Sequence, residues 1–296
     1  MDEFSLIDDI VSGLGEVARA VWVDVGPGDD ASVVRVKPGA SVVSSIDTFS
    51  PGVHFPTQAP AEWVGYRSFM GAASDLAAMG AQPRYALVAL SLPDADSRYA
   101  LALCEGLAEA ASLCGMAICG GNLTRAPLSI TLSVHGEVEP GQAVLRSTAQ
   151  VDDLVQVSGR LGGAAACVRL NQFEVASPLR EAYFRPKARV DLKETLAQAH
   201  ASIDISDGCL QDLTHILRAS RLGAEVDSRA VPVADGAMLQ DALWGGDDYE
   251  LLVTAPDVLP GFEVIGVVSK APGLRIDGQE ALSSDGAIKG YDHFRL

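Results

Sequence analysis

No GxxxxGK[ST] segment occurs in the chain, which excludes a Walker-type phosphate loop; no GxGxxG opens a helix after a strand, and no GxSxG elbow is present. Lysine is scarce, five residues in 296, so an array of ammonium groups is not available to hold a phosphate. The five cysteines (Cys104, Cys114, Cys119, Cys167, Cys209) include no CxxC pair and no histidines at zinc-ligand spacing, so neither a disulfide frame nor a zinc site is indicated and buried free thiols are the plain reading. No apolar run approaches the roughly 20 residues a membrane span needs. The opening MDEFSLIDDI is acidic and lacks the basic start of a secretory signal, so the expected location is the cytoplasm. A formal net charge of −17 argues against a nucleic-acid partner, because an acidic surface repels phosphate backbones.

What the chain does have is 48% hydrophobic residues, enough to bury real cores. Its acidic residues stand in small groups beside glycine and serine: Gly-Asp-Asp at 28–30, Ile-Asp-Thr at 46–48, Ser-Asp-Leu at 74–76, Asp-Ile-Ser-Asp at 204–207 and Gly-Asp-Asp at 246–248. With Walker-type loops excluded, carboxylates that hold Mg²⁺ ions, which in turn hold phosphates, are the alternative.

ASVVRV (31–36) and SVVSSID (41–47) are β-branched runs separated by Lys37-Pro38-Gly39 and read as a hairpin. A helix is expected over 61–79, where Trp63, Tyr66, Met70, Ala73 and Ala77 recur at helical spacing, with Gly80 closing it. Asp75 falls inside that helix, amid Ala72, Ala73, Leu76 and Ala77, where an unpaired carboxylate is costly unless it binds a cation. Strands at 85–92 and 128–138, a helix at 97–113 and a short strand running into Gly120-Gly121 complete a first domain, residues 1–140, with helices on one face of a mixed sheet. The stretch 139–153 reads as a linker. In the second domain, 141–296, strands are expected at 154–159, near 223–227, 249–254 and 263–268, a strand and turn at 201–208, and helices at 162–170, 188–199 and 210–220. The fold class is α/β (α+β).

Two of the acidic groups alone have a plain reading, Asp29-Asp30 as a turn and Asp204 with Asp207 as capping residues, whereas Asp47, ending an apolar strand, and Asp75 do not. Together, GPGDD (26–30), SSIDTFSPGVHF (44–55), SDLAAMGA (74–81), GGNLTR (120–125), IDISDG (203–208), GGDDYEL (245–251) and GYDHF (290–294) form an ordered series that resembles the thiamine-monophosphate kinase family, in the superfamily of aminoimidazole ribonucleotide synthetase.

The resemblance implies a two-domain aminoimidazole ribonucleotide synthetase-like fold, a homodimer built through the first domain, and ATP and thiamine monophosphate as substrates. Magnesium ligands are implied at Asp30, Ser45, Ile46 through its backbone, Asp47, Asp75, Asn122, Asp204 and Asp207. Gly121, Asn122, Arg146 and Ser206 match nucleotide contacts, and His54, Asp247 and Tyr291 match positions bordering the thiamine phosphate. A potassium ion is left open. No general base is expected, since the acceptor is a phosphate oxygen. Three positions depart from the family pattern: Asn122 stands where many relatives have aspartate, Ile46 where threonine is usual, and Asp247 where glutamate is common. The alternatives are a ring-closing enzyme of the same superfamily, which would not need the GVHF, GGDDYE and GYDHF segments, and a non-catalytic nucleotide- or divalent-ion-binding protein.

Overall fold

The computed structural model describes residues 3–281, so Tyr291 lies outside the described residues. They form two units, residues 3–76 with 81–141, and residues 77–80 with 142–281.

In the first unit, helix α1 (Glu3–Leu14) precedes a small ribbon of β1 (Val23–Val25) and β2 (Val33–Val34). Strand β3 (Ser41–Phe49), helix α2 (Ala61–Ala78), strand β4 (Gln82–Leu92), helix α3 (Ser97–Leu113) and strands β5 (Ala117–Arg125) and β6 (Ser129–Val138) follow, and the sheet runs β3-β6-β4-β5. The β4–β5 pairing is parallel and the other two are antiparallel. The expected hairpin of 31–36 with 41–47 does not form. A turn is present, Ala40 N donating to Lys37 O at 3.1 Å, but β2 pairs back onto β1, and β3 takes β6 as its partner from Ser41 to Phe49. The long ladder places β3 beside the buried Ile130, Leu132 and Val134 of β6, which a two-residue partner could not match.

Helix α2 is buried on every side from Val64 to Ser74, the pattern of a central core helix rather than a surface one. A Cβ on Gly65 would lie 2.0 Å from the Leu103 carbonyl oxygen of α3, and one on Gly106 of α3 would lie 1.8 Å from that of Glu62. The two helices therefore touch backbone to backbone, and only glycine permits it at either position. The helix ends where the sequence places its stop: Gly80 has φ +67°, its N–H donates to Ala77 O at 2.9 Å, and Ala81 N donates to Leu76 O at 3.0 Å. This paired arrangement is a Schellman cap. Helix α3 starts at Asp96, whose side chain accepts from the N–H groups of Arg98 and Tyr99.

The second unit contains β7 (Leu154–Ser158), α4 (Gly163–Arg169), α5 (Pro178–Phe184), α6 (Lys193–Leu196), β8 (Ala201–Asp204), α7 (Cys209–Ser220), β9 (Gly223–Val226), α8 (Leu239–Trp244), β10 (Leu251–Ala255), β11 (Phe262–Ser269), β12 (Gly273–Ile276) and β13 (Gln279–Glu280). Its sheet runs β13-β12-β9-β11-β7-β10-β8, antiparallel except for β12 beside β9. The helix expected over 188–199 shrinks to a 3-10 turn at Val190–Leu192 and the single turn of α6. Arg189 explains the late start: it sits at ψ 46°, outside helical geometry, and pairs there with Glu250 and Asp191. Helices α5 and α8 were not expected, although each carries a local signal. Ser177 caps α5 ahead of Pro178, and Asp241 of α8 accepts from Met238 N at 2.8 Å.

Candidate functional site

The first unit brings three of the expected residues together. Along β3 alternate residues face opposite ways, so Ser45 and Asp47 turn toward the interior while Ser44, Ile46 and Thr48 face out. Asp75 is the one half-exposed residue in an otherwise buried stretch of α2. The Ser45 hydroxyl donates to the Asp75 carboxylate. Burial first, and then the Asp75 charge, push the Asp47 carboxyl up to about 6. Among the described residues neither carboxylate has an ion-pair partner.

The remaining expected residues of this unit lie elsewhere on it. Asp30 is exposed in a turn opened by Gly28 at φ +119°, where its N–H donates to the Asp29 side chain at 2.8 Å. Gly121 and Asn122 are exposed on β5, opposite Val88 and Ala89 of β4. A Cβ at Gly121 would lie 1.8 Å from the Val88 carbonyl oxygen, so the glycine is required by strand packing as well. His54 is fixed on one side: its Nδ1 accepts from Ser50 N at 3.1 Å, its ring meets Phe49 edge-on at 5.4 Å, and its carbonyl accepts from the buried Arg67 Nε at 3.0 Å. Because Nδ1 accepts, the ring proton of the neutral form is on Nε2.

In the second unit, strand β8 ends at the buried Asp204 and runs through Ile205–Gly208 into α7. The amides of Ser206, Asp207 and Gly208 all donate, at 3.1 Å each, to one oxygen of Asp212 in the first turn of α7. Asp212 is only 2% exposed, and burial with the neighbouring Asp204 and Asp207 charges pushes its carboxyl up to about 8. Ligand atoms of Asp207, Asp212 and His215 lie within 4.8 Å of one another. Burial and the nearby Arg146 guanidinium lower the His215 pKa. Arg146 itself is exposed, and its carbonyl accepts from the Ser220 hydroxyl at 3.0 Å.

The segment 245–250 lies against this turn. Asp247 N donates to Ser206 O and Tyr249 N to Ile205 O, both at 2.9 Å, while Ile205 N donates to Glu250 O at 2.8 Å. Asp247 and Tyr249 hold left-handed φ values of 68° and 52°, a strained pair typical of functional turns, and the Tyr249 hydroxyl donates to Asp247 at 3.2 Å. Asp248 accepts from Gly162 N at 2.9 Å, and burial raises its pKa well above the carboxylate range. Glu250 accepts from Ser158 and pairs with Arg189.

The expected Asp204, Ser206, Asp207 and Asp247 are thus adjoined by Asp212, His215 and Asp248, which sequence reasoning missed. Asp212 and His215 carried a faint signal, an acidic residue in a helix's first turn and a histidine three residues on, on the same face.

The family model for the AIR synthase related protein, N-terminal domain, matches residues 28–138, and that for the C-terminal domain matches residues 139–272. The thiamine-monophosphate kinase of Salmonella typhimurium is 35% identical over 301 aligned positions, covering 92% of each chain. The crystal structure of the thiamine-monophosphate kinase from Stenotrophomonas maltophilia K279a superimposes with a TM-score of 0.85 at 36% identity, over 95% of this chain and 98% of that one. AaThiL complexed with AMPPCP and TMP gives 0.81 at 30% identity, over 99% and 97%.

Proposed function

Since the chain belongs to the thiamine-monophosphate kinase family of AIR synthase related proteins, we propose that it transfers the terminal phosphoryl group of ATP directly, in line, to thiamine monophosphate, its aspartates holding magnesium ions. The observation that carries this reading is the Asp47–Asp75 pair. Two crowded carboxylates, Asp47 raised to about 6 and Asp75 accepting from the Ser45 hydroxyl, without a cationic side chain of their own among the described residues, fit a hard divalent cation taken up by oxygen ligands.

Magnesium, when bound, supplies charge that offsets the repulsion between two polyanions meeting in line. The acceptor is a phosphate monoester whose second pKa is about 6, so it is already largely dianionic at neutral pH. No side chain need act as a general base. In the first unit Asp30, Ser45, the Ile46 carbonyl, Asp47, Asp75 and Asn122 would hold the ions, and in the second Asp204 and Asp207. Gly121, Asn122, Ser206 and the charge-assisted donors of Arg146 would bind the nucleotide. His54, Asp247 and Tyr291 would border thiamine monophosphate.

We further propose a cytoplasmic homodimer formed through the first unit. Strands β3 and β5 are sheet edges whose free backbone groups pairing would satisfy, and Val42 and Ile46 leave 50% and 65% of their surface exposed on one face of β3. Among the described residues no helix is long and apolar enough to cross a membrane.

The test is formation of ADP and thiamine diphosphate from ATP and thiamine monophosphate, with free thiamine and no acceptor as controls, across a magnesium titration. Product with thiamine monophosphate alone, and only when magnesium is present, is expected. Equal turnover of free thiamine overturns the reading, and a monomer at micromolar concentration in sedimentation overturns the dimer.

A further inference from the structure

The three amides that converge on Asp212 set it apart from the other carboxylates of the second unit. We propose that Asp212 is the positioning residue of the turn Ile205–Gly208, holding that turn by a single carboxylate oxygen so that Ser206 and Asp207 are presented in a fixed geometry; this rests on the kinase reading above.

Successive N–H groups of 206, 207 and 208 point at one oxygen at 3.1 Å each. A turn whose amides are so engaged from the inside cannot use them to bind a phosphate, so what the turn offers a ligand is its side chains. The clamp reaches further than its own turn. Ser206 O accepts from Asp247 N, and a Cβ on Gly246 would lie 2.1 Å from Ser206 O. The backbone of 245–247 is thus laid directly on the segment Asp212 holds, and Asp247 takes its left-handed conformation there. Asp212 also has a place from which to act rigidly: it is 2% exposed, on a helix whose Leu210, Leu213, Ile216 and Leu217 are buried.

The competing role is that of a metal ligand, since ligand atoms of Asp207, Asp212 and His215 lie within 4.8 Å of one another. The two roles make different demands. A clamp needs one well-placed acceptor oxygen and no negative charge, and asparagine supplies that oxygen at the same reach. A ligand to a divalent cation needs the charge.

The experiment compares full-length wild type, Asp212→Asn and Asp212→Ala by kcat and KM for thiamine monophosphate, by the magnesium concentration giving half-maximal rate, and by hydrogen exchange at the amides of 206–208. The clamp predicts protected amides and kcat/KM within about 3-fold of wild type for Asp212→Asn. For Asp212→Ala it predicts unprotected amides and a loss of about 10- to 100-fold, the range for removing a group that orients a ligand-bearing one. An Asp212→Asn chain with protected amides but activity lost overturns the proposal in favour of a ligand role, and unprotected amides with normal activity overturn it in favour of no role. Where Asp212→Ala does not fold, Asp212→Asn decides alone by the same two readouts. Wild type that makes no thiamine diphosphate counts against the kinase reading, while the exchange data still report on the clamp.

Discussion

Asp47 on β3 and Asp75 on α2 stand close enough for the Asp75 charge to raise the Asp47 pKa, and Ser45, two residues before Asp47, donates its hydroxyl to Asp75. A strand and a buried helix thus meet at two like charges.

Metal-free protein should gain stability as the pH falls from 7 to about 5. The Asp47 carboxyl is raised from 3.8 to about 6, so between those values the folded chain holds a proton that the unfolded chain has released. Stability therefore falls as pH rises through this window. Thermal melts in EDTA at pH 5, 6 and 7 are expected to show the trend, and Asp47→Asn should lessen it, the buried Asp212 and Asp248 supplying the rest. Magnesium should lessen it too, since the ion competes with the proton at Asp47.

Replacing Asp75 by asparagine keeps its shape and its ability to accept from Ser45. If Asp75 is a metal ligand, the metal-free variant should melt at or above the wild-type temperature, because one of two repelling charges is gone, while activity falls by at least about 100-fold. A loss of about 3–5 kcal/mol without magnesium would instead mark a broken structural pair.

Asn122→Asp should lower the magnesium concentration needed for half-maximal rate, since a carboxylate replaces a neutral amide oxygen on an exposed stretch of β5. The readout is a magnesium titration of wild type and variant side by side. An unchanged midpoint would remove Asn122 from the ion-binding set.

Gly106→Ala should destabilise the first unit by about 1–3 kcal/mol or more. The added methyl would lie 1.8 Å from the Glu62 carbonyl oxygen, so α2 and α3 must separate. Calorimetry should show the drop. Because α2 carries Asp75, the half-maximal magnesium concentration should rise along with it.

Much of this was legible from local pattern. Helix α3 runs over the residues its spacing predicts, and α2 ends at the glycine that stops it, because helical periodicity and capping are written within a few residues of one another. The ordered motifs pointed to the thiamine-monophosphate kinase family for the same reason: each is a short contiguous segment. Partner choice was not legible. Strand β3 looked like half of a hairpin because a turn precedes it, yet it pairs with β6, a contact between residues such as Asp47 and Leu132 that no local signal encodes. Arg189 truncated a helix by pairing with Glu250, 61 residues away. The chain by itself determined which residues carry charge and which segments can be helix or strand, since those follow from side-chain chemistry at short range. Only the tertiary structure decided that Ser45 and Asp47 face Asp75 and that Asp212 holds 206–208, because both depend on which faces are driven out of water together.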